Sequence, residues 1–421
     1  MTVALANPKT KPKSLTVAGL FAGIGGIEQG LHRAEHRTKL LCEIDPAAAR
    51  VLRQRFPQTR FESDITKILD VKSFPQVDVV AAGFPCQDLS QAGRTAGITG
   101  AQSGLVGHVF RLLDLALAAK SGAWQPKWLL IENVPFMLQL DRGKAMRHLV
   151  DALELREFTW AYRIVDTNAF GLPQRRHRVI LLASQTEDPR RVLFSANETP
   201  LRREFSPDLW CGFYWTEGLR GLGWAVDSVP TLKGGSTVGI PSPPAIWIPQ
   251  SGFIGTPQIR DAERLQGFEA DWTLAAVEAP AAVENQVLWR RLRNHRWKLV
   301  GNAVSVPVAA WIGGGLASPG AFDEALSDEP LKSGVTWPKA AWGRNNKVYP
   351  VNVSTWPVRA RTPHLRQFVE DHLVELSERA TAGFHSRLNA AECTLKPLPV
   401  FKDAIARHLE KMRSRKRHGA A

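Results

Sequence analysis

Short apolar runs alternate with stretches of helical spacing through the first part of this chain. Leu15 to Phe21 is the first run; it ends in Phe21-Ala22-Gly23-Ile24-Gly25-Gly26, after which Ile27, Leu31 and Ala34 recur at helical intervals. The pattern predicts a strand, a glycine turn and a helix. Lys39 to Ile44 predicts a second strand, and Pro46, suited to a first helical turn, opens a helix through Phe56. A third strand should end at Asp64-Ile65. Val77 to Ala82 and Trp128 to Val134 read as buried strands separated by the apolar-periodic Val106 to Ala119. After Asp151 to Leu155, Tyr162 to Val165 and Val179 to Ala183 supply two more strands. Strands alternating with helices imply a mainly parallel sheet covered on both faces, a Rossmann-like α/β layer.

From about Ser184 the character changes: Pro, Gly and Trp are frequent and helical periodicity is scarce until Asp261. A smaller, irregular or β-rich domain is expected there. Leu299 to Leu316 is apolar again and reads as a return to the first core, while beyond Ser318 a Pro- and Trp-containing stretch leads to an amphipathic Leu365 to Arg379 and a basic end. The expected divisions are therefore 15–183 for the α/β domain, 184–256 for the second domain, 257–317 for the return segment and 318–421 for a C-terminal basic extension. Two domains suit this length, because single cores usually stop growing near ~250 to 300 residues.

Composition narrows the class. With 44% hydrophobic and 22% charged residues the chain is ordinary for a globular protein. No run approaches the ~20 apolar residues of a membrane span, so no membrane partner is expected. Met1 to Ser14 lack the apolar segment of a secretory signal, which makes the cytoplasm the expected location. Cys42, Cys86, Cys211 and Cys393 are widely spaced with no C-x-x-C pair, so neither a disulfide framework nor a metal site is expected. The net charge of +14 and pI near 9.9 point to a polyanionic partner. That charge is uneven, with 17 Lys and Arg against 7 Asp and Glu from Leu331 to Ala421. Arg407, Lys411, Arg413, Arg415, Lys416 and Arg417 form either a solvated basic tail or one face of a terminal helix that tracks phosphates without reading sequence.

Candidate chemistry collects at predicted strand ends, the edge where open α/β sheets bind ligands. The glycine turn alone fits both a dinucleotide-like ligand and a ligand-free tight turn. Glu43, closing the second strand, can accept the two hydroxyls of a ribose, and Asp64-Ile65 lies where an adenosyl group would cross the third. Gly83-Phe84-Pro85-Cys86-Gln87 delivers a thiol to a loop after the fourth strand. A lone loop cysteine is more often inert than catalytic, yet a partly ionised thiol suits attack on an electron-poor ring carbon. Glu132-Asn133-Val134 repeats the placement; a desolvated carboxyl there could stay protonated and donate to a ring nitrogen, or be a satisfied structural group. In Gln174-Arg175-Arg176-His177-Arg178 the alternate residues Gln174, Arg176 and Arg178 share one side if extended. They suit an anionic or carbonyl-rich ligand, or form a basic strand start open to solvent.

Taken in order, Phe21 to Gly26, Glu43-Ile44-Asp45, Asp64-Ile65, Gly83 to Gln87, Glu132-Asn133-Val134, Gln174 to Arg178, Arg260 to Phe268 and Gly301-Asn302 resemble the motif series of the DNA (cytosine-5)-methyltransferase family, bacterial or phage type, from about Leu15 to Leu316. The resemblance implies a Rossmann-like S-adenosylmethionine-dependent methyltransferase sheet with a smaller target-recognition domain, S-adenosylmethionine as cofactor, double-stranded DNA as partner and a monomer. It also implies roles. Phe21 would lie near the adenine and Gly23 and Gly25 near the methionine part; Glu43 and Ile44 would hold the ribose side, Asp64 and Ile65 the adenine edge. Pro85, Asn302 and Ala303 would complete the cofactor site. Cys86 would attack carbon 6 of a flipped cytosine, Glu132 would bind ring nitrogen 3 and the exocyclic amine, Arg178 would reach the base carbonyl, and Arg176 and Gln174 would shape the pocket. Gln87, Ser90, Arg94, Gln174, Thr231 and Leu232 are the expected DNA contacts. Gln87 to Gly104 is the expected lid, hinged at Gly93, Gly97 and Gly100.

Departures stand beside the match. Gly19 occupies a position that is commonly acidic in the family, Asp88 and Leu89 replace a common proline and aromatic, and Gln102 and Ser103 lie where an arginine is often found. Specificity should reside between Ser184 and about Gly255, ending in Pro230-Thr231-Leu232 and Gly234-Gly235. Trp210, Phe213, Tyr214, Trp215 and Trp224 in that stretch are read as a small core rather than as stacking platforms. The alternatives are an RNA (tRNA) cytosine-5 methyltransferase and a catalytically silent DNA-binding module. The retention of Cys86, Glu132 and Arg178 together argues against the second.

Overall fold

The computed structural model describes residues 13–70, 72–84, 104–118, 126–217, 219, 221–234, 243–277, 286–332, 334–390 and 398–418. Its first half alternates as the hydrophobic pattern requires: β1 (Thr16–Leu20), α1 (Gly26–Arg33), β2 (Arg37–Cys42), α2 (Pro46–Arg55), β3 (Arg60–Glu62), β4 (Val79–Ala82), α3 (Leu105–Ala118), β5 (Trp128–Asn133), α4 (Lys144–Glu154) and β6 (Thr159–Asp166). A short strand β7 (Gln174–Arg175) precedes β8 (His177–Ser184). Each boundary has a local cause. Asp45 caps α2 by accepting the N–H of Ala47 at 2.9 Å and of Ala48 at 3.1 Å, with Pro46 in the first turn where its missing N–H costs nothing.

The central sheet runs β3-β2-β1-β4-β5 in parallel and continues through β8, antiparallel to β5, to β6. The mainly parallel expectation thus holds for six of these seven strands, and the sheet is mixed. β1 pairs with β2 on one side and β4 on the other, so the crossovers diverge at its end and open a crevice there. Register sets the site: Leu20 lies opposite Cys42 and Ala82, and Ala82 opposite Ile131. The next residues, Phe21, Glu43, Gly83 and Glu132, therefore form a row along the carboxyl edge. One face of the sheet packs α3 and α4 through Val109, Leu113, Met146 and Leu149; the other packs α1 and a later helix through Leu31, Val308 and Ile312.

Past β8 come β9 (Cys211–Phe213), β10 (Ala225–Val226), β11 (Val229–Pro230), β12 (Ala245–Ile248) and β13 (Phe253–Thr256), then α5 (Ile259–Leu265), α6 (Gln286–Asn302) and α7 (Val306–Ala317). Asn294–Ala317 corrects one composition-based expectation, since it is long and apolar enough to span a membrane, with mean hydropathy 1.4. Two-thirds of that window is buried in the protein, and α6 and α7 meet at a break at 303–305.

The chain after Ser318 is no appendage. Its strands β14 (Ala340–Arg344) and β15 (Lys347–Pro350) extend the central sheet beyond β6, bringing the described sheet to nine strands. The stretch Leu365–Arg379 is likewise not one helix. A single turn at Leu365–Phe368 buries Leu365 completely, and β16 (Val374–Glu375) then pairs with β13 to close the order β10-β9-β12-β13-β16. An edge strand offered a partner outweighs local helical periodicity here. Helices α8 (Glu378–Ala390) and α9 (Pro399–His418) then cover that smaller sheet, where Phe384, Phe401 and Ile405 pack on Cys211, Phe213 and Trp247. Phe213 meets Phe401 at 5.0 Å and Trp224 meets it at 4.9 Å between ring centroids, so these aromatics are core, as expected. Part of the basic face is spent: Lys411 and Arg415 pair with Glu375 at 2.9 and 2.6 Å.

Truncation near Asp328 is therefore expected to prevent folding rather than merely weaken DNA affinity. It would bare Trp160, Tyr162, Phe213 and Trp247, all at most 2% exposed, and each large apolar side chain uncovered costs ~2 kcal/mol against a total stability of ~5 to 15 kcal/mol. A truncated chain with a cooperative thermal transition and native-like solubility would contradict this.

Candidate active site

The glycine turn after β1 is built from unusual backbone. Phe21 has φ 55°, and Gly23 and Gly25 have φ 56° and 84°, values that only glycine adopts freely. Glu43 holds the turn: Gly23 N–H donates to its Oε2 at 2.8 Å and Asp45 N–H to its Oε1 at 2.8 Å. Its carboxylate is thus pre-oriented at the crevice with lone pairs to spare. Ile44 beside it is 73% exposed, an apolar surface that the described residues leave uncovered at the edge where a ring would rest. Phe21 meets Phe84 edge-on at 6.3 Å. Asp64 keeps a depressed pKa through hydrogen bonds from the Thr66 N–H and hydroxyl, and Ile65 is buried beneath it. Asn302, exposed at the end of α6, faces Gly234, and Ala303 is buried beside it. Phe21, Glu43, Ile44 and Asp64 thus share one edge and fit an adenosyl ligand.

Glu132 and Arg178 meet at that edge. Arg178 enters from β8, the antiparallel neighbour of β5, and its Nε lies 2.9 Å from Glu132 Oε1. Glu132 is 7% exposed, and apart from this ion pair its Oε1 is buried without a hydrogen-bond partner among the described residues. Burial raises its pKa, opposed by the charges of Arg178 and Arg176. Such a carboxyl is poised to hold or give a proton to a ring that enters the site. Asn133, unassigned in the sequence reading, donates from Nδ2 to Phe84 O at 3.0 Å and so fixes the outgoing end of β4 against Glu132. Two residues further on is Cys86. Pro85, Cys86, Gln87, Ser90 and Arg94 lie outside the described residues, as does most of the expected lid. The described thiols, Cys42 and Cys211, are both buried and pushed up to about 12, so neither offers a thiolate.

Three expected contact residues sit elsewhere. Arg176 is fully buried and donates to Leu232 O at 2.9 Å, Gly301 O at 3.1 Å and Ala303 O at 2.7 Å. Gln174, also fully buried, donates to Leu265 O at 2.7 Å and accepts from Leu232 N–H at 3.1 Å. Leu232 is 1% exposed, so its side chain is unavailable to DNA. These groups tie β7, the segment after β11 and the α6–α7 turn into one support. Strand alternation predicted their shared side, and the facing partner is backbone carbonyl. Gln266, within the Arg260 to Phe268 motif, joins the support by accepting from Ser305 Oγ at 2.6 Å and donating to Val300 O at 2.9 Å. Thr231 remains half-buried, its hydroxyl donating to Arg175 O at 3.0 Å. His295, missed in sequence, bonds the Asp45 carboxylate at 3.1 Å and braces the helix cap behind Glu43.

Glu28 was also missed. It is 1% exposed in the first turn of α1, and burial raises its pKa from 4.5 to about 7. The folded state therefore binds more protons than the unfolded chain between those values. Stability should fall as pH rises through that window, by on the order of 3 kcal/mol at pH 8. Glu28→Gln is expected to match wild-type stability near pH 5 and exceed it at pH 8 in cofactor-free melts. A difference independent of pH would contradict the assignment.

The family model described as C-5 cytosine-specific DNA methylase matches residues 15–208. The chain is 49% identical to the Type II methyltransferase M2.BsuMI of Bacillus subtilis strain 168 over 385 residues, 90% of this chain and 94% of that one. About a tenth of the chain lies outside that match, so it takes in most of the segment after 318. The Type II methyltransferase M.NgoBV of Neisseria gonorrhoeae is 32% identical over 183 residues, 40% of this chain and 41% of its own length. Among solved structures, the S. pombe Dnmt2 methyltransferase aligns with TM-score 0.48 and 16% identity, covering 72% of this chain and 98% of that one.

Proposed function

The chain belongs to the C-5 cytosine-specific DNA methylase family, and from that premise we propose how its own residues perform the methyl transfer. It is an S-adenosylmethionine-dependent DNA (cytosine-5-)-methyltransferase that acts on a specific sequence. The observation that carries the residue-level reading is the buried Glu132–Arg178 pair at 2.9 Å, beside the strand end that Asn133 fixes two residues before Cys86.

Carbon 5 of cytosine is a poor nucleophile. In the proposed reaction the Cys86 thiolate adds to carbon 6, while Glu132, held by Arg178, gives or shares a proton at ring nitrogen 3, and electron density moves onto carbon 5. S-adenosylmethionine supplies the electrophilic methyl group. Loss of the carbon 5 proton then lets the ring expel Cys86 and regain aromaticity. Arg178 keeps Nη2 for the base carbonyl, its Nε being on Glu132 and its Nη1 on His177 O. Arg176 and Gln174 are positioning residues. The target carbons are inaccessible in a stacked duplex, so the base is flipped out.

Duplex DNA is favoured over RNA because the smaller domain is complete: five described strands closed by α8 and α9 around an aromatic core. Similarity to Type II methyltransferases supports a proposed role in modification within a restriction-modification system, and a monomer in the bacterial cytoplasm is proposed with it. Incubating the full chain with cofactor labelled in the methyl group should place label in duplex DNA at 5-methylcytosine and none in tRNA. Label in tRNA alone would overturn the DNA assignment, and label in neither would support the silent binding module.

A further inference from the structure

Glu28 is a buried carboxyl that the proposed chemistry does not use. It reaches from the first turn of α1 to the back of β1, where a Cβ on Gly19 would fall inside its carboxylate. Its Oε2 is buried with no hydrogen-bond partner among the described residues. It lies against Gly19, two residues before Phe21, and close enough to Glu43 for the two charges to interact. An unsatisfied carboxylate in such a place destabilises the empty protein. Gly19 has no side chain, and the carboxylate from the facing helix fills the space that one would take.

We propose that Glu28 is a further cofactor-binding residue, supplying from α1 the carboxylate that receives the methionyl ammonium of S-adenosylmethionine. The proposal rests on reading the Phe21–Gly25 turn as the cofactor site. Of the cofactor's two cationic centres only the ammonium carries N–H donors, and donors are what the free oxygen lacks. Gly19 is then required because any side chain there would displace the carboxylate.

The test is calorimetric binding of S-adenosylhomocysteine and of its deamino analogue, with hydrogen in place of the α-amino group, to the full chain. Wild type should bind the amino compound ~10-fold more tightly or better, as a charge-assisted hydrogen bond would give. E28Q should lose most of that difference and bind the deamino analogue as wild type does. Equal weakening of both ligands, or no change in either, overturns the assignment of Glu28 and leaves the cofactor site standing. Failure of wild type to bind either compound overturns the site itself. Should E28Q not fold, the G19D/E28A double variant, which returns the carboxylate to the strand, decides instead: retained discrimination supports the proposal, and its loss overturns it.

Discussion

A Cys86→Ser variant is expected to lose methyl transfer by roughly 10^4-fold or more while keeping its affinity for S-adenosylmethionine within a few-fold of wild type. At neutral pH a serine hydroxyl is almost wholly un-ionised, whereas a thiol is partly thiolate and far more polarisable. In the proposed chemistry the methyl acceptor does not exist until carbon 6 is attacked, so a weaker nucleophile lowers every later step in proportion. In the proposed site the turn after β1 and Glu43 would hold the cofactor, and the hydrogen bonds that Glu43 accepts from the Gly23 and Asp45 N–H groups do not involve Cys86. Single-turnover transfer of labelled methyl, with cofactor affinity measured in parallel, separates the two effects. A serine variant that keeps a tenth of the wild-type rate would show that Cys86 is not the nucleophile.

The second large effect is expected at Glu132. Replacing it with glutamine keeps the shape and a hydrogen-bonding end but removes the acid, and should lower turnover by ~10^2 to 10^4-fold with little loss of duplex affinity. Burial raises the Glu132 pKa against the pull of Arg178 and Arg176, which favours the protonated form relative to a solvent-exposed carboxylate. Its interaction with the ring grows as density moves off carbon 6, so it is worth most in the transition state. Equal losses in turnover and duplex binding would instead assign Glu132 a positioning role.

The sequence was most informative where strand, turn and charge coincide. Glu43 and Glu132 follow apolar runs, and parallel register places residues that end neighbouring strands on one edge, so their convergence was legible without coordinates. Gln174 and Arg176 were harder. Alternation tells which residues share a side of a strand, but not that the opposite body is a row of backbone carbonyls at Leu232, Gly301 and Ala303. The C-terminal segment was harder again, because β14 joins β6 from far along the chain through short strands whose Trp and Arg content carries no clear period. Its basic residues suggested a free surface, although the Glu375 that pairs with Lys411 and Arg415 sits in a strand hidden within an apparently helical stretch. Glu28 was invisible, since nothing in a linear reading shows that a helix residue occupies the space left by Gly19.

In the proposed reaction, methylation proceeds through a covalent bond between Cys86 and the target base. A duplex carrying 5-fluorocytosine at the methylated position tests it directly, because fluorine cannot leave carbon 5 as a proton does and the adduct is trapped. With S-adenosylmethionine present, the intact protein should become covalently linked to that duplex, and mass spectrometry of the digested complex should place the modified base on the peptide containing Cys86. A fully active enzyme that forms no such adduct, or forms it on another residue, would contradict the account.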